Sequence, residues 1–214
     1  MAKKEAHLTP RLSPESKEDI RRAVEVMNKG GIILYPTDTI WGLGCDATNA
    51  DAVRRIYEIK QRTDAKALIS LVDSETKVQF YVKEVPEVAW DVMELSERPM
   101  TVVFDGGRNL APNLLAEDGS VAIRITKEAF SKELCMRMKR AVVSTSANIS
   151  GQPAQADMKL ILIPQENERD LAEISEEIKG AVDYICTSRQ DEPPTQTASS
   201  IIKLGAGGEV TIIR

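Results

Sequence analysis

The chain has 214 residues, of which 42% are hydrophobic and 29% charged, and its formal net charge is −5. This length and composition predict one soluble globular domain over residues 14–214, preceded by a flexible N-terminal tail over residues 1–13. The negative charge excludes a surface that is basic throughout, which is common among nucleic-acid-binding proteins. No uninterrupted apolar run approaches the roughly 18 residues of a membrane helix, so no membrane association is expected.

The cysteine and histidine content excludes several kinds of site. Cys45, Cys135 and Cys186 are scattered and lack metal-ligand spacing, which predicts a reduced, cytoplasmic protein with no protein-bound metal. The single histidine, His7, lies in the predicted tail, so Ser-His-Asp and Cys-His mechanisms are not expected. Positioning and charge neutralisation remain, and these suit phosphoryl or nucleotidyl transfer.

Helical and strand patterns interleave along the chain. The first helix is expected between Ser13-Pro14 and Gly30, because serine caps free N–H groups and proline suits the first helical position. Apolar runs and helical periodicity predict the other elements. The further predicted helices are 50–61, 86–97, 128–140 and 170–179, and the predicted strands are 32–35, 68–72, 100–104, 121–125, 141–143, 199–204 and 209–213. This order, with a glycine turn between the last two strands, predicts an α/β domain with a mixed sheet.

The segment 35–44, Tyr-Pro-Thr-Asp-Thr-Ile-Trp-Gly-Leu-Gly, is the first candidate ligand loop. Open α/β sheets bind ligands outside the ends of their strands, and Pro36 ends the preceding strand. The hydroxyls of Thr37 and Thr39 can face the same side of an extended loop, and glycines let backbone N–H groups approach an anion. The alternative is a plain loop between a strand and a helix.

A cationic group follows the second predicted helix. Lys60, Arg62 and Lys66 lie within seven residues, and together they could hold a triphosphate. The alternative is that these cations only compensate the helix macrodipole at its C-terminus.

Two further features lie in or after apolar runs. The segment 144–151, Ser-Thr-Ser-Ala-Asn-Ile-Ser-Gly, follows a predicted strand and offers uncharged hydrogen-bonding groups, although it could also be an ordinary polar turn. Arg124 interrupts the run Val121-Ala-Ile-Arg-Ile125, where an unpaired charge is costly. Two alternatives stay open for Arg124: a structural pair with an aspartate or glutamate, or binding of a substrate carboxylate.

These segments together closely resemble the YrdC/Sua5 family. The matching motifs are Pro36-Thr-Asp-Thr-Ile-Trp-Gly-Leu-Gly44, Lys60-x-Arg62 and Ser144-x-Ser-Ala-Asn-x-Ser-Gly151, and the resemblance extends over roughly residues 15–214. It implies a twisted, mixed parallel and antiparallel sheet flanked by helices, with a concave cleft. It also implies synthesis of L-threonylcarbamoyladenylate and pyrophosphate from L-threonine, bicarbonate and ATP, for the modification of tRNA at adenosine 37.

The resemblance also implies roles for individual residues. Lys60 and Arg62 would be catalytic. The residues implied to bind threonine are Thr37, Thr39, Arg124, Ser144 and Ser199. The residues implied to bind ATP are Arg62, Lys66, Ser120, Ser146, Asn148 and Arg214. Mg²⁺ would be held mainly through the ATP phosphates.

The chain departs from the family pattern mainly where threonine would bind. Leu71 occupies a position where many members have a threonine-contacting histidine, and Ser188-Arg189-Gln190 lies near where glycines are frequent. Thr63, Lys66 and Arg98 also replace residues that are common in the family, namely proline, asparagine and glycine. The chain also resembles the short form of the family, which lacks an additional C-terminal domain.

The implied partner is a downstream threonylcarbamoyl transferase complex that acts on tRNA. The first alternative is a non-catalytic module that binds tRNA or double-stranded RNA through a local basic stripe. The second is a related carbamoyl transferase, although such proteins are usually much longer.

Overall fold

The computed structural model describes residues 11–61, 68–149, 171, 174–192, 199–205 and 207–213. The helices are α1 (Pro14–Asn28), α2 (Ala50–Ile59), α3 (Glu75–Tyr81), α4 (Val88–Leu95), α5 (Ala129–Met138) and α6 (Glu176–Ala181), with a 3₁₀ helix at Pro112–Leu114. The strands are β1 (Ile33–Tyr35), β2 (Gly42–Gly44), β3 (Ile69–Val72), β4 (Met100–Phe104), β5 (Val121–Ile125), β6 (Val142–Ser146), β7 (Tyr184–Ile185), β8 (Ser200–Leu204) and β9 (Val210–Ile212).

The strands form one nine-stranded sheet in the order β7-β1-β2-β6-β3-β5-β4-β8-β9. Three neighbouring pairs are parallel, namely β1 with β7, β3 with β5 and β4 with β8, and the other pairs are antiparallel. The predicted mixed sheet in an α/β domain is therefore confirmed. None of the described helices has the length and apolar character needed to cross a membrane.

The first helix shows how local sequence signals and packing agree. The Ser13 hydroxyl accepts a hydrogen bond from Ser16 N at 3.1 Å. Ile20, Ala23 and Met27 lie on one helical face and are all buried. Complete burial of a side chain such as isoleucine or methionine stabilises the fold by about 1.5–3 kcal/mol.

The structure corrects the prediction at two of the candidate ligand segments. Residues 42–44, expected to lie in a loop, form β2, which pairs with β1 on one side and β6 on the other. The strand expected at residues 141–143 continues to Ser146, so the hydroxyls of Ser144 and Ser146 lie on the sheet itself. Local propensity predicted a strand at neither residues 42–44 nor residues 144–146, because glycine and serine are poor strand formers unless contacts with neighbouring strands are considered.

Gly44 has a packing role that propensity does not capture. A Cβ atom at this position would lie 2.6 Å from Cε1 of Tyr35 on the paired strand. Glycine is therefore needed for the Tyr35 ring to lie flat across β2.

Three other differences concern short elements. The helix α3 and the two-residue strand β7 were not predicted, because neither contains enough residues to establish a periodicity. The helix expected over residues 170–179 occurs as α6, which begins at Glu176 after the N-cap Ser175.

The register of the central strands places the candidate residues relative to one another. Leu71 on β3 lies beside Arg124 on β5, and Ile69 lies between Ser144 on β6 and Ala122 on β5. Since paired residues share a face, Ser144, Leu71 and Arg124 lie on the same face of the sheet.

Candidate active site

Arg124 is the buried cation at the centre of this face. Its side chain is 4% exposed, Nε donates to Thr101 Oγ1 at 3.0 Å, and Nη1 forms an ion pair with Asp38 Oδ1 at 2.7 Å. No hydrogen bond joins Nη2 to another described residue. The structure therefore shows one of the two alternatives for Arg124, an ion pair with an acidic residue. The Nη2 nitrogen of the guanidinium group is still available for a ligand.

The segment between β1 and β2 brings hydroxyl groups to this region. Thr37 Oγ1 donates to Ile40 O at 2.6 Å and lies 3.2 Å from Thr39 Oγ1, so both hydroxyls do face the same side. A Cβ atom at Gly42 would lie 3.4 Å from Thr37 Cγ2 and 3.5 Å from Ser144 Oγ. Because Gly42 has no side chain, only its backbone lies between Thr37 and Ser144, and the two residues can lie close together.

Tyr35, the last residue of β1, is completely buried. Its hydroxyl donates to Val143 O at 3.3 Å, and burial raises its pKa well above the ordinary value. The phenol therefore stays neutral.

Arg189 connects a segment that is distant in sequence to the loop that contains Thr37. Its Nη1 donates to Thr37 O at 3.2 Å and lies 3.2 Å from Glu128 Oε1, while its Nε pairs with Glu192 at 2.6 Å. Glu128 is also the N-cap of α5. Arg189 thus connects the Thr37 segment to the start of a helix, in the region where family members frequently have glycines.

Lys60 organises a second part of the site. It is 2% exposed, and its Nζ donates to Ser146 O at 2.7 Å, Asn148 O at 2.7 Å and Asn148 Oδ1 at 3.3 Å. In addition, Ser146 Oγ donates to Asn148 Oδ1. Lys60 therefore fixes the segment that contains the predicted ATP-binding residues Ser146 and Asn148.

Ser120 and Ser146 lie at the same end of the central strands. Ala122 on β5 and Ser144 on β6 both pair with Ile69 on β3. Ser120 and Ser146 each lie two residues farther along, toward the same end of these strands. Ser120 N donates to Asp118 Oδ1 at 2.9 Å, and Asp118 also pairs with Lys203 at 3.1 Å. The predicted nucleotide-side residues Ser120, Ser146 and Asn148 are thus neighbours by topology.

The remaining predicted residues divide into two sets. Ser199 is buried and directly precedes β8, which pairs with the β4 strand that contains Thr101. Arg62, Lys66 and Arg214 lie outside the described residues, as does Thr63.

Three residues of the site were not assigned roles from the sequence, namely Asp38, Thr101 and Arg189. Asp38 stands between the two threonines of the first motif, and the charge of Arg124 indicated a partner that could be either an acidic residue or a substrate carboxylate. Only the tertiary structure shows that Asp38 is this partner. Thr101 carries no such signal, and Arg189 was visible only as a departure from the family pattern.

The cysteines do not offer a nucleophile. Cys45, Cys135 and Cys186 are free and buried, and burial raises the pKa of each thiol. Nucleophilic catalysis requires the thiolate, which these sites disfavour. Within the described ranges, no group of three or more His, Cys, Asp or Glu side chains is arranged to hold a metal ion.

Comparison with known proteins identifies the family. The Sua5, YciO and YrdC family model, described as "Telomere recombination", matches residues 25–214. The chain belongs to this family. Membership confirms the resemblance seen in the sequence motifs.

Relatives and solved structures agree with this family and fold. A threonylcarbamoyl-AMP synthase from Coxiella burnetii is 30% identical over 154 residues, covering 72% of this chain and 83% of the relative. The crystal structure of P. abyssi Sua5 complexed with L-threonine matches with a TM-score of 0.76 and 26% identity, covering 97% of this chain and 56% of the other. The present chain thus spans little more than half of that Sua5 protein.

The E. coli YciO structure shows the fold over nearly the whole of both chains. It matches with a TM-score of 0.72 and 24% identity, covering 97% of this chain and 92% of YciO. The predicted fold of the family is confirmed by these matches. The prediction that the chain is an enzyme is also confirmed, since several curated family members have the name of a synthase.

Proposed function

We propose that this protein synthesises L-threonylcarbamoyladenylate and pyrophosphate from L-threonine, bicarbonate and ATP. The observation that supports this most strongly is the buried Arg124, whose Nη2 is left for a ligand oxygen while Nε and Nη1 are fixed by Thr101 and Asp38. An arginine held in this way binds a carboxylate with defined orientation. The names of the relatives and the threonine bound to P. abyssi Sua5 agree with an amino-acid substrate.

The threonine side of the proposed site lies around Arg124. Arg124 binds the carboxylate of the substrate, and Thr37, Thr39, Ser144 and Ser199 supply polar contacts along the same face. Leu71 lies next to Arg124 in the sheet and is completely buried. This apolar neighbour lowers the local dielectric constant and strengthens the ionic contact.

The ATP side lies around the segment held by Lys60. Ser120, Ser146 and Asn148 contact the nucleotide, and we expect Arg62, Lys66 and Arg214 to neutralise its phosphates. Mg²⁺ accompanies ATP and is bound by phosphate oxygens. Because Nζ of Lys60 donates to Ser146 O, Asn148 O and Asn148 Oδ1, we infer that Lys60 assists catalysis mainly by fixing this segment.

The proposed reaction has two steps. The neutral amine of threonine adds to the carbon of bicarbonate and water is lost, which gives a carbamate. A carbamate oxygen then attacks the α-phosphorus of ATP, and the bond to the β-phosphate breaks to release pyrophosphate. The site contributes positioning and charge neutralisation, which supply most of the rate enhancement in phosphoryl transfer.

We propose that the threonylcarbamoyladenylate is used in the cytoplasm. A transferase complex would receive the labile adenylate and modify adenosine 37 of tRNA. Direct contact with tRNA or double-stranded RNA stays a prediction, and so does the cytoplasmic location.

Pyrophosphate release by the purified chain tests this function. We expect release from ATP that requires both L-threonine and bicarbonate, measured with each omitted in turn. Release that is independent of threonine would indicate another acceptor, and Leu71 would be the first residue to examine. A folded protein that binds RNA but releases no pyrophosphate would instead support the binding-module alternative.

A further inference from the structure

A buried carboxylate on α1, that of Asp19, binds the segment 187–189, which contains Arg189. We propose that Asp19 is a positioning residue for the threonine side of the site, because it holds this segment and thereby directs Arg189 toward Thr37. This inference rests on the proposed function, which places Thr37 among the residues that bind threonine.

Asp19 accepts three hydrogen bonds from a part of the chain that is distant in sequence. Its Oδ2 accepts from Thr187 N at 2.9 Å and from Ser188 N at 2.8 Å, and its Oδ1 accepts from the Tyr184 hydroxyl at 2.7 Å. Asp19 is only 2% exposed, and burial of a carboxylate is costly unless hydrogen bonds such as these offset the lost hydration. The carboxylate therefore fixes the two backbone amides that directly precede Arg189.

Strand pairing explains why the segment 187–189 lies beside Thr37. The strand β7 pairs in parallel with β1, and Cys186 continues this pairing, since its N–H donates to Leu34 O at 2.9 Å. Parallel neighbours leave a sheet at the same end, so the residues after Cys186 and those after Tyr35 start side by side. Arg189 spans the distance between them, and its Nη1 donates to Thr37 O at 3.2 Å.

The backbone of Arg189 requires support from its surroundings. Its φ is 61°, in the left-handed region that residues with a side chain rarely adopt. Such a conformation persists when the neighbouring contacts determine it. Asp19 supplies these contacts before Arg189, while Glu192 and Glu128 bind the guanidinium group. A glycine would adopt the same φ without strain but would have no side chain to reach Thr37.

A double-mutant cycle tests whether Asp19 acts through Arg189. Asparagine offers one acceptor oxygen, and its amide NH₂ would face a donor, so Asp19→Asn should release the segment 187–189. We expect KM for threonine to rise about 3- to 10-fold in this variant, with little change in kcat or in KM for ATP. The double variant with Arg189→Ala should show no further rise beyond Arg189→Ala alone, because the contact with Thr37 is already absent.

Two further variants separate positioning from overall stability. Tyr184→Phe removes a donor to the same carboxylate but leaves both bonds to the segment 187–189, and Glu25→Gln removes a charge from the exposed face of α1. Both should leave KM for threonine unchanged. A rise in the double variant equal to the product of the two single rises, or a rise in Tyr184→Phe as large as in Asp19→Asn, would overturn the proposal. If Asp19→Asn does not fold, Asp19→Glu gives the same cycle, because it keeps the carboxylate but displaces it by one methylene group.

Hydrogen exchange followed by mass spectrometry tests the same connection without turnover. Amides of residues 36–42 should exchange faster in Asp19→Asn and in Arg189→Ala than in wild type, and no faster in the double variant than in Arg189→Ala. Unchanged exchange of residues 36–42 in Asp19→Asn would show that Asp19 does not act on the Thr37 segment, and the proposal would be wrong. Turnover by the wild-type chain that does not require threonine would instead contradict the proposed function, whereas the exchange result would still stand.

Discussion

Arg124 and Lys60 are both buried cations, but their surroundings differ in a way that separates two roles. Arg124 is paired with a carboxylate and a hydroxyl and has one nitrogen left over. Lys60 donates to neutral oxygens of Ser146 and Asn148. The first arrangement suits direct contact with a charged substrate, whereas the second suits the positioning of a loop. The difference predicts that the two cations affect different substrates.

Arg124→Lys should have the largest effect. A lysine ammonium cannot reproduce the planar fork that reaches Thr101, Asp38 and a ligand together, so we expect KM for threonine to rise about 100-fold or more. Loss of the paired geometry should also destabilise the fold by about 3 kcal/mol, measured by urea unfolding. Arg54→Lys, on the exposed face of α2, is the matched control and should change neither quantity. An unchanged KM for threonine in Arg124→Lys would remove Arg124 from the substrate site.

Lys60→Met should affect the nucleotide side. It removes the ammonium group from the oxygens of Ser146 and Asn148, and we expect kcat/KM for ATP to fall about 100-fold. KM for threonine should change much less, and steady-state kinetics with each substrate varied separately would reveal this split. A larger effect on threonine than on ATP would contradict the separation of roles, and near-normal turnover would exclude any catalytic contribution from Lys60.

Arg189→Ala should have a moderate effect on the threonine side. It removes the hydrogen bond to Thr37 O and the contact with Glu128, each of modest strength. We expect KM for threonine to rise about 3- to 10-fold with little change in kcat or in KM for ATP. Lys132→Ala, on the same helix that Glu128 caps, provides a comparison that removes a charge without touching Thr37. An increased KM for ATP would show that Arg189 acts on the other half of the site.

Asp118→Asn should have the smallest effect and should depend on pH. Hydrogen bonds from the Ser120 side chain and backbone and from Lys203 lower the pKa of the Asp118 carboxyl in the folded protein. Because the folded pKa is the lower one, the stabilisation is present above the unfolded pKa of about 3.9 and is lost as the pH falls below it. Asp118→Asn should therefore reduce thermal stability slightly at pH 7, and the difference from wild type should shrink towards pH 3. A difference that grows at acidic pH would contradict this sign.

The sequence was sufficient to predict much of the fold because apolar strands and capped helices have local signatures. The run Ile32-Ile-Leu-Tyr35 and the cap at Ser13 are examples, and both occur in the structure where expected. The strand β2 could not be predicted in this way, because Gly42 and Gly44 are selected by contacts with Thr37, Ser144 and Tyr35. Those contacts exist only after the neighbouring strands have assembled.

Parts of the candidate site were likewise visible, and parts were not. Arg124 was conspicuous because a charge within an apolar strand needs a partner. The identity of that partner was not predictable, since Asp38 lies 86 residues away in the chain. The same separation applies to Lys60 and Ser146, so the sequence revealed a cationic group but not that Lys60 is directed at a backbone segment.

The most direct test of the proposed reaction is to follow the carbon of isotopically labelled bicarbonate. The purified chain would be incubated with labelled bicarbonate, L-threonine and ATP, quenched rapidly because the adenylate is labile, and analysed by mass spectrometry. We predict one labelled carbon in a product that contains both threonine and AMP, with pyrophosphate released in equal amount. AMP and pyrophosphate formed without the labelled carbon in an adenylate, or an adenylate that lacks threonine, would contradict the account.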